Sequence, residues 1–290
     1  MSLDDITRVY RSNLDTDNLE VVKEIKNDAI SSVALVKDIQ KGSMFITKVI
    51  SKSSARSELE VLDLISQSKS DDTQYLVSLV DGGLMSPQPQ LVCIIFPYRS
   101  SITLQEYIQV EIKRNSFPII SEQYCSCILL QIAKGLRLLH HNKYIHRDIK
   151  SENVLCFEDG TVKLIDYGFC VFAGGVPYIG EKKGTAGTTA PELWTQDPRC
   201  YFSSDIWSCG CVLYEMIFGG LLYENIDGFW DHVDNLTVYD AIVQETGRFI
   251  TELNNDPLLS MKTVCIFEGT LEINPFSRIR TAKDLVNLLT

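Results

Sequence analysis

The chain has 290 residues, 45% of them hydrophobic, which is enough to bury the core of one large domain or of two lobes. Its 27 basic and 38 acidic residues give a net charge of −11, which disfavours nucleic acid and membrane surfaces as partners. The first residues lack the features of a secretory signal, and no apolar run approaches a membrane span. Nine cysteines without a CxxC pair are expected to be reduced, which indicates a cytoplasmic setting, with the nucleus as the alternative.

The first third of the chain favours strands. Alternating apolar and β-branched residues predict hairpin-linked antiparallel strands from Leu19 to Val49. Leucines at helical spacing predict a helix from Ser54 to Ser66. Two more strands are predicted at Tyr75–Val80 and Leu91–Phe96, and the stretch DGGLMSPQPQ between them reads as a turn.

Beyond residue 97 the apolar residues follow helical spacing. Helices are predicted at Leu104–Ile112 and from Ser121, its N-cap, to His141. A hairpin with strands Asn153–Phe157 and Val162–Ile165 comes next, and helices joined by polar loops fill residues 203–290.

The pattern therefore predicts an α+β fold with two lobes. Residues 1–18 read as a polar N-terminal extension, residues 19–96 as a β-rich N-lobe with one main helix, and residues 97–290 as a helical C-lobe. Residues 166–192 form a Gly-rich, irregular segment that is too long for an ordinary connection and is predicted to be functional.

The stretch YIHRDIKSENVL, residues 144–155, concentrates the reactive groups. In a phosphoryl transfer from a nucleotide, Asp148 would orient the proton of an attacking hydroxyl and Lys150 would neutralise charge on the moving group. Asn153 would hold a metal ion. Taken alone, the His-Arg-Asp tripeptide leaves a solvated polar loop open as the alternative.

Further motifs follow this catalytic loop in chain order. With the loop, they resemble the eukaryotic protein kinase family from about Leu19 to Thr290. The resemblance implies a two-lobed fold, with a small antiparallel β lobe and a larger helical one. The motifs are Asp166-Tyr167-Gly168, Gly184-Thr185, Ala190-Pro191-Glu192, Asp205-Ile206-Trp207-Ser208-Cys209-Gly210 and Asn274-Pro275-Phe276-Ser277-Arg278.

The resemblance implies ATP and Mg²⁺ as cofactors, with Mn²⁺ as the alternative metal. Lys48 matches the lysine that contacts the phosphates, and Glu58 is its best ion-pair partner, with Glu60 as the alternative. Asp166 matches the aspartate that holds metal between the phosphates, beside Asn153. The residues expected around the rest of the nucleotide are Val33, Ile46, Phe96 and Leu155.

Other matched residues are expected to support the site. Asp205 would accept hydrogen bonds from the backbone of the catalytic loop, and Glu192 would pair with Arg278, with Arg280 as the alternative. Tyr167 stands where the family usually has Phe, so its hydroxyl needs a hydrogen-bond partner.

Two residues indicate the substrate class. Lys150, two positions after the catalytic aspartate, and Thr185 resemble the Ser/Thr-directed members of the family. The expected acceptor is a Ser or Thr hydroxyl on a protein, and the acidic net charge favours basic substrates. A regulatory protein partner fits the resemblance, and neither a nucleic acid nor a membrane is expected.

The chain departs from the family at the phosphate-covering loop. Lys26, Asp28 and Ser31 occupy the places of three glycines, whose missing side chains let backbone approach phosphate. Ile46 replaces a small residue where the adenine packs. These differences lead to the hypothesis that ATP binds weakly or in a shifted pose.

A second departure concerns activation. Arg147 marks members in which a phosphate on the long loop docks onto that arginine. Glu181 occupies the usual phosphate-acceptor place, so it is expected to supply a fixed negative charge, unless it is merely a solvated side chain beside Lys182 and Lys183.

Two other classes compete with an active kinase. A pseudokinase that serves as a binding or scaffold module is the main alternative, and the absent glycines are its support. A small-molecule kinase of related fold is disfavoured by the motifs at 190–192 and 205–210.

Overall fold

The computed structural model describes residues 18–27, 31–80, 84–85, 90–114, 117–174, 177–179, 184–223, 234–253 and 257–290. Contacts between Cα atoms divide the chain into two compact units. The first unit contains residues 1–100 together with 166–168, and the second contains 101–165 and 169–290. The motif Asp166–Gly168, which the sequence placed in the C-lobe, thus clusters with the first unit.

The first unit is built on a five-stranded antiparallel sheet in the order β1-β2-β3-β5-β4. The hairpin-linked strands predicted from Leu19 onwards are confirmed. Residues of β3 and β5 such as Ile50, Val92 and Ile94 are buried, which ties the centre of the sheet to its core. The strands are β1 (Leu19–Asn27), β2 (Ser31–Asp38), β3 (Met44–Ser51), β4 (Leu84–Met85) and β5 (Leu91–Pro97).

Helix α1 (Lys52–Gln67) follows β3 directly. It begins two residues before the predicted start because the side chain of Ser51 accepts a hydrogen bond from the backbone of Ser54 and caps the helix. Leu59 and Leu62 lie on its buried face, and so does the carboxylate of Glu58. A buried acid among apolar residues requires a partner.

The predicted strand at Tyr75–Val80 is wrong. Residues Asp71–Tyr75 form a 3₁₀ turn capped by Ser70. The strand on the outer side of β5 is β4, which lies within the stretch predicted to be a turn. The apolar pattern reflects burial more than strand formation, because Leu76 is fully buried and forms an isolated bridge instead of a strand. The amide of Val80 donates a hydrogen bond to the carbonyl of Ile95 on β5.

The second unit is mainly helical, and the predicted helices at Leu104–Ile112 and after the Ser121 cap are confirmed. In the described part of the chain its helices are α2 (Leu104–Ile112), α3 (Glu122–His141), α4 (Phe202–Phe218), α5 (Asn235–Leu253), α6 (Met261–Thr270) and α7 (Ala282–Leu289). Within these described ranges no helix is long and apolar enough to cross a membrane. All nine cysteines lie among the described residues, and none of them forms a disulfide.

Short strands connect these helices. The predicted hairpin is present, and Gly160 at a φ of 79° makes its turn. Two further ladders of two strands each lie next to the catalytic loop and along the irregular segment that follows the hairpin. The strands are β6 (Ser101–Thr103), β7 (Tyr144–Ile145), β8 (Val154–Phe157), β9 (Val162–Leu164), β10 (Val171–Phe172), β11 (Tyr178–Ile179) and β12 (Arg199–Cys200), paired as β6-β8-β9, β7-β10 and β11-β12.

Candidate active site

The catalytic loop is attached to helix α4 through Asp205. Its carboxylate accepts hydrogen bonds from the backbone amides of His146 and Arg147, both at 2.8 Å, as the sequence predicted. Arg147 has a φ of 69°, a strained conformation that such bonds stabilise. Burial alone would raise the pKa of Asp205, but the hydrogen bonds from His140 and from the loop amides outweigh it and lower the pKa. The carboxylate therefore stays ionised as a fixed anchor.

The three predicted catalytic residues and Asn153 meet around one carboxylate. Asp148 is buried, and its Oδ2 accepts a 2.8 Å hydrogen bond from the amide nitrogen of Asn153. The ammonium of Lys150 lies 3.2 Å from the same oxygen and donates to Thr185 Oγ1 at 2.6 Å. The Thr185 hydroxyl in turn donates to Asp148 Oδ1 at 2.8 Å. These bonds fix the orientation of the Asp148 carboxylate before any substrate arrives.

In the first unit, Lys48 joins two acids. Its ammonium lies 2.7 Å from Glu58 Oε2 and 3.0 Å from Asp166 Oδ1, which confirms the predicted pair with Glu58. The alternative, Glu60, instead pairs with Arg56 at 3.0 Å. Burial opposes charge on Lys48, but the two carboxylates outweigh it and raise its pKa above 10.5. Lys48 is therefore a protonated, positioned cation at neutral pH.

The motif of residues 166–168 is arranged around the carboxylate of Asp166. Asp166 has a φ of 63°, and its Oδ1 also accepts a 3.3 Å bond from the amide of Gly168. A Cβ at residue 168 would lie 3.3 Å from that oxygen, so glycine permits this close approach. The Tyr167 hydroxyl donates to the carbonyl of Val77 at 3.0 Å, which supplies the partner that the sequence analysis required.

Four of the predicted nucleotide residues share one face of the first unit's sheet. Val33 lies opposite Lys48 across β2 and β3, and Ile46 lies opposite Phe96 across β3 and β5. Because residues two apart on a strand point to the same face, Ile46 and Lys48 also share it. Leu155 is half-buried on β8 of the second unit. The contact of these five residues with a nucleotide stays a prediction.

The structure describes only part of the glycine-less loop. Lys26 lies opposite Val33 at the end of the β1–β2 ladder, and Ser31 begins β2. Asp28 falls outside the described residues, and so does Glu181. Their expected effects stay predictions.

The irregular segment contacts the catalytic loop through Arg147. Its Nε donates to the carbonyl of Phe169 at 2.6 Å, and its guanidinium carbon lies 5.0 Å from the centre of the Tyr178 ring. Farther along, a Cβ at Gly184 would lie 2.6 Å from the carbonyl oxygen of Arg147, so only glycine fits there. The contact between Arg147 and Tyr178 was not predicted, because no motif joins an aromatic residue to that arginine.

The predicted pair of Glu192 and Arg278 is confirmed, with Arg278 rather than Arg280 in that place. Two guanidinium nitrogens donate to the two carboxylate oxygens, both at 2.9 Å, and Arg278 is buried. His140 is a support residue that the sequence analysis missed: its Nε2 lies 2.9 Å from Asp205 Oδ2, and its Nδ1 accepts from the amide of Ala282. A bond to a backbone amide 142 residues away has no signal in the sequence.

One unit contains a buried aspartate held by Asn, Lys and Thr, and the other contains a cluster of Lys, Glu and Asp. These two sets of residues are those of a phosphotransferase. A family model of the protein kinase domain matches residues 19–288, and the chain belongs to the protein kinase family.

Several characterised kinases are similar to the chain. It is 34% identical over 180 residues to the serine/threonine-protein kinase US3 homolog of varicella-zoster virus, covering 60% of this chain and 42% of that protein. It is 30% identical to mouse serine/threonine-protein kinase Nek5, covering 69% and 31%. With Saccharomyces cerevisiae serine/threonine-protein kinase TOS3 it shares 25% identity, covering 80% and 44%. The chain therefore spans less than half the length of these relatives.

Proposed function

We propose that the chain is a Ser/Thr protein kinase that transfers the γ-phosphoryl group of ATP to protein hydroxyls. The observation that carries the proposal is the network in which Asn153, Lys150 and Thr185 hold the carboxylate of Asp148. The names of the relatives above, all serine/threonine-protein kinases, support the acceptor class.

Each residue of the network has a separate task. Asp148 orients the acceptor hydroxyl and accepts its proton, because its carboxylate is fixed and buried. Lys150 stabilises negative charge that develops on the transferred group, and Thr185 holds Lys150 and Asp148 in register. In the first unit, Lys48 binds phosphate oxygens, and Glu58 keeps Lys48 in place.

The side chains assigned to the metal fit Mg²⁺. Asn153 donates through its amide nitrogen, which leaves its carbonyl oxygen as a ligand, and Asp166 supplies a carboxylate that is 42% exposed. Hard oxygen ligands, few in number, are typical of a cation that also binds substrate phosphates. When bound, the metal neutralises charge on the phosphates. Among the described residues, no group of three or more His, Cys, Asp or Glu side chains could by itself hold a metal ion.

A basic substrate is the finer part of the proposal. Glu152 follows Lys150 in the catalytic loop, and Glu215 on α4 accepts a 2.9 Å hydrogen bond from Ser151. The negative charge of Glu152 acts on Glu215 and contributes to the raised pKa of the Glu215 carboxyl. With the net charge of −11, the negative charge of Glu152 favours basic side chains near the acceptor hydroxyl.

Weak nucleotide binding belongs to the same proposal. Ile46 lies on the same sheet face as Lys48, and Lys26 and Ser31 occupy two of the three glycine places. We expect calorimetry to give an affinity for Mg-ATP weaker than low micromolar, and a low-micromolar value would reject this part.

The direct test is transfer of radiolabelled phosphate to a generic basic protein. Asp148→Asn should reduce transfer by roughly two to four orders of magnitude, because the proton acceptor is lost. Asp159→Asn, an exposed aspartate in the β8–β9 turn, serves as the matched control and should leave transfer unchanged. Absence of transfer by the unmodified chain with Mg²⁺ or Mn²⁺, together with no thermal shift on adding nucleotide, would favour the pseudokinase alternative.

A further inference from the structure

The proposed reaction does not use the hydroxyl of Tyr167. The side chain is fully buried at 0% exposure, and its hydroxyl donates to the carbonyl of Val77 at 3.0 Å. Both residues belong to the first unit, although 90 positions separate them. Since a buried hydroxyl is costly unless it is hydrogen-bonded, this bond ties the ring to one position.

The residue before Tyr167 is the one whose position matters for the reaction. Asp166 adopts a φ of 63°, which costs free energy for a residue other than glycine and persists only where surrounding contacts impose it. In this conformation its Oδ1 lies 3.0 Å from the Lys48 ammonium and 3.3 Å from the Gly168 amide. The residues on both sides of Asp166 must therefore be held in place to keep this backbone conformation.

We propose that the hydrogen bond from Tyr167 to Val77 is a tether that keeps Asp166 directed at Lys48. Val77 follows the 3₁₀ turn Asp71–Tyr75, whose Ser70 cap and Thr73–Leu76 backbone bond give the carbonyl a firm base. A phenylalanine would fill the same space but lack this hydrogen bond to Val77. The inference rests on the proposed function, and it makes Tyr167 a positioning residue for Asp166.

The alternative is that Tyr167 acts only through the volume of its ring. Tyr167→Phe separates the two, because it keeps the ring and removes only the hydroxyl. Tyr223→Phe is the matched control: Tyr223 is also buried, at 1% exposure, and its hydroxyl lies 2.7 Å from Thr246 Oγ1 in the second unit. The control removes the same kind of bond at a place with no role in the reaction.

The first measurement is hydrogen–deuterium exchange of the nucleotide-free protein, followed on the peptide that contains Gly168. Losing one net hydrogen bond changes a local opening equilibrium by roughly fivefold, so Tyr167→Phe should speed exchange there by about that factor. Tyr223→Phe should not change exchange at residues 166–168. Equal exchange in Tyr167→Phe and the unmodified protein would overturn the tether.

The second measurement is steady-state kinetics at varied Mg²⁺. With Asp166 less well placed, Tyr167→Phe should lower kcat about fivefold and raise the Mg²⁺ concentration for half-maximal rate, with an unchanged KM for peptide. An equal loss of kcat in Tyr223→Phe would reduce the effect to general destabilisation and overturn the inference. If neither the variants nor the unmodified protein transfers phosphate, the proposed function is wrong. The exchange result still tests whether the hydrogen bond from Tyr167 acts as a tether.

Discussion

Glu58 shows how one buried charge is arranged for function. It is 1% exposed on a helix face that otherwise buries apolar side chains, and its carboxylate is compensated by Lys48. The desolvation of a buried ion pair commonly offsets its Coulombic attraction, so stability alone does not account for this pair. Its effect is to hold the Lys48 ammonium beside Asp166.

Exchange of Glu58 for glutamine should therefore affect catalysis through Lys48. We expect Glu58→Gln to lower kcat/KM for ATP by about tenfold or more, since a neutral amide no longer positions the cation. The measurement is steady-state kinetics at varied ATP. Glu60→Gln, two residues away and paired with Arg56, is the control and should stay within about twofold. Equal losses in the two variants would contradict the assignment.

A second acid predicts a dependence of stability on pH. Burial raises the pKa of Glu215 from 4.5 to about 7, the Ser151 hydroxyl opposes that rise, and Glu152 adds to it. Between those two pH values the folded chain keeps a proton that the unfolded chain has released. The favourable contribution of protonated Glu215 is thus fully present below pH 4.5 and is lost as pH rises through 7.

Glu215→Gln should remove this dependence. Relative to the unmodified protein, its free energy of unfolding should increase as pH rises from about 5 to about 8, because no carboxylate has to ionise in a buried place. Denaturant unfolding at several pH values measures the difference. Glu252→Gln on the exposed surface of α5 is the control. A difference between Glu215→Gln and unmodified protein that is constant with pH would refute the prediction.

At the scale of elements, the irregular segment is anchored by a short strand. Tyr178 in β11 pairs with Cys200 in β12, and its ring packs on a buried cluster of Ile145, Ala173, Leu193 and Cys200. The same ring lies beneath the Arg147 guanidinium. The arginine that usually binds a loop phosphate therefore has an aromatic neighbour from the segment itself.

This contact predicts that the aromatic ring of Tyr178, rather than its hydroxyl, supports activity. Tyr178→Ala should lower kcat/KM by roughly tenfold in phosphatase-treated protein, whereas Tyr178→Phe should keep near-normal activity because its ring still packs and faces Arg147. The neighbouring Ile179→Ala is the control, since Ile179 is 65% exposed. Loss of activity in Tyr178→Phe equal to that in Tyr178→Ala would indicate a role for the hydroxyl, such as phosphorylation.

At the scale of the whole molecule, acidic charge underlies the proposed preference for basic substrates. The net charge of −11 attracts cations from a distance, and Glu152 adds a local negative charge in the catalytic loop. Long-range attraction is screened within about 8 Å at physiological salt, whereas close pairs are screened less. The net charge and the local charge of Glu152 should therefore differ in their response to salt.

A basic peptide should be a better substrate than an acidic peptide with the same acceptor. Its kcat/KM should fall severalfold between roughly 50 and 300 mM salt, while that of a neutral peptide stays nearly constant. Glu152→Gln should narrow the gap between the peptides at both salt concentrations. Equal rates for basic and acidic peptides would contradict the prediction.

The sequence by itself determined the family, most of the order of the elements and the residues that meet around the carboxylate of Asp148. The family's motifs place particular residue types in a particular order, and the hydrophobic period reveals α2 and α3 with their ends. It also identified the pairs Lys48–Glu58 and Glu192–Arg278, since each joins two charged side chains within recognisable motifs.

Only the tertiary structure decided which backbone groups the side chains reach. The strand predicted at Tyr75–Val80 was wrong because burial and strand pairing produce the same apolar pattern. The strand that pairs with β5 on the side away from β3 is β4. The partners of Tyr167 and His140 are backbone groups 90 and 142 residues away, and a backbone amide or carbonyl is the same at every residue. Such contacts depend on how the chain is folded and leave no mark in the order of its side chains.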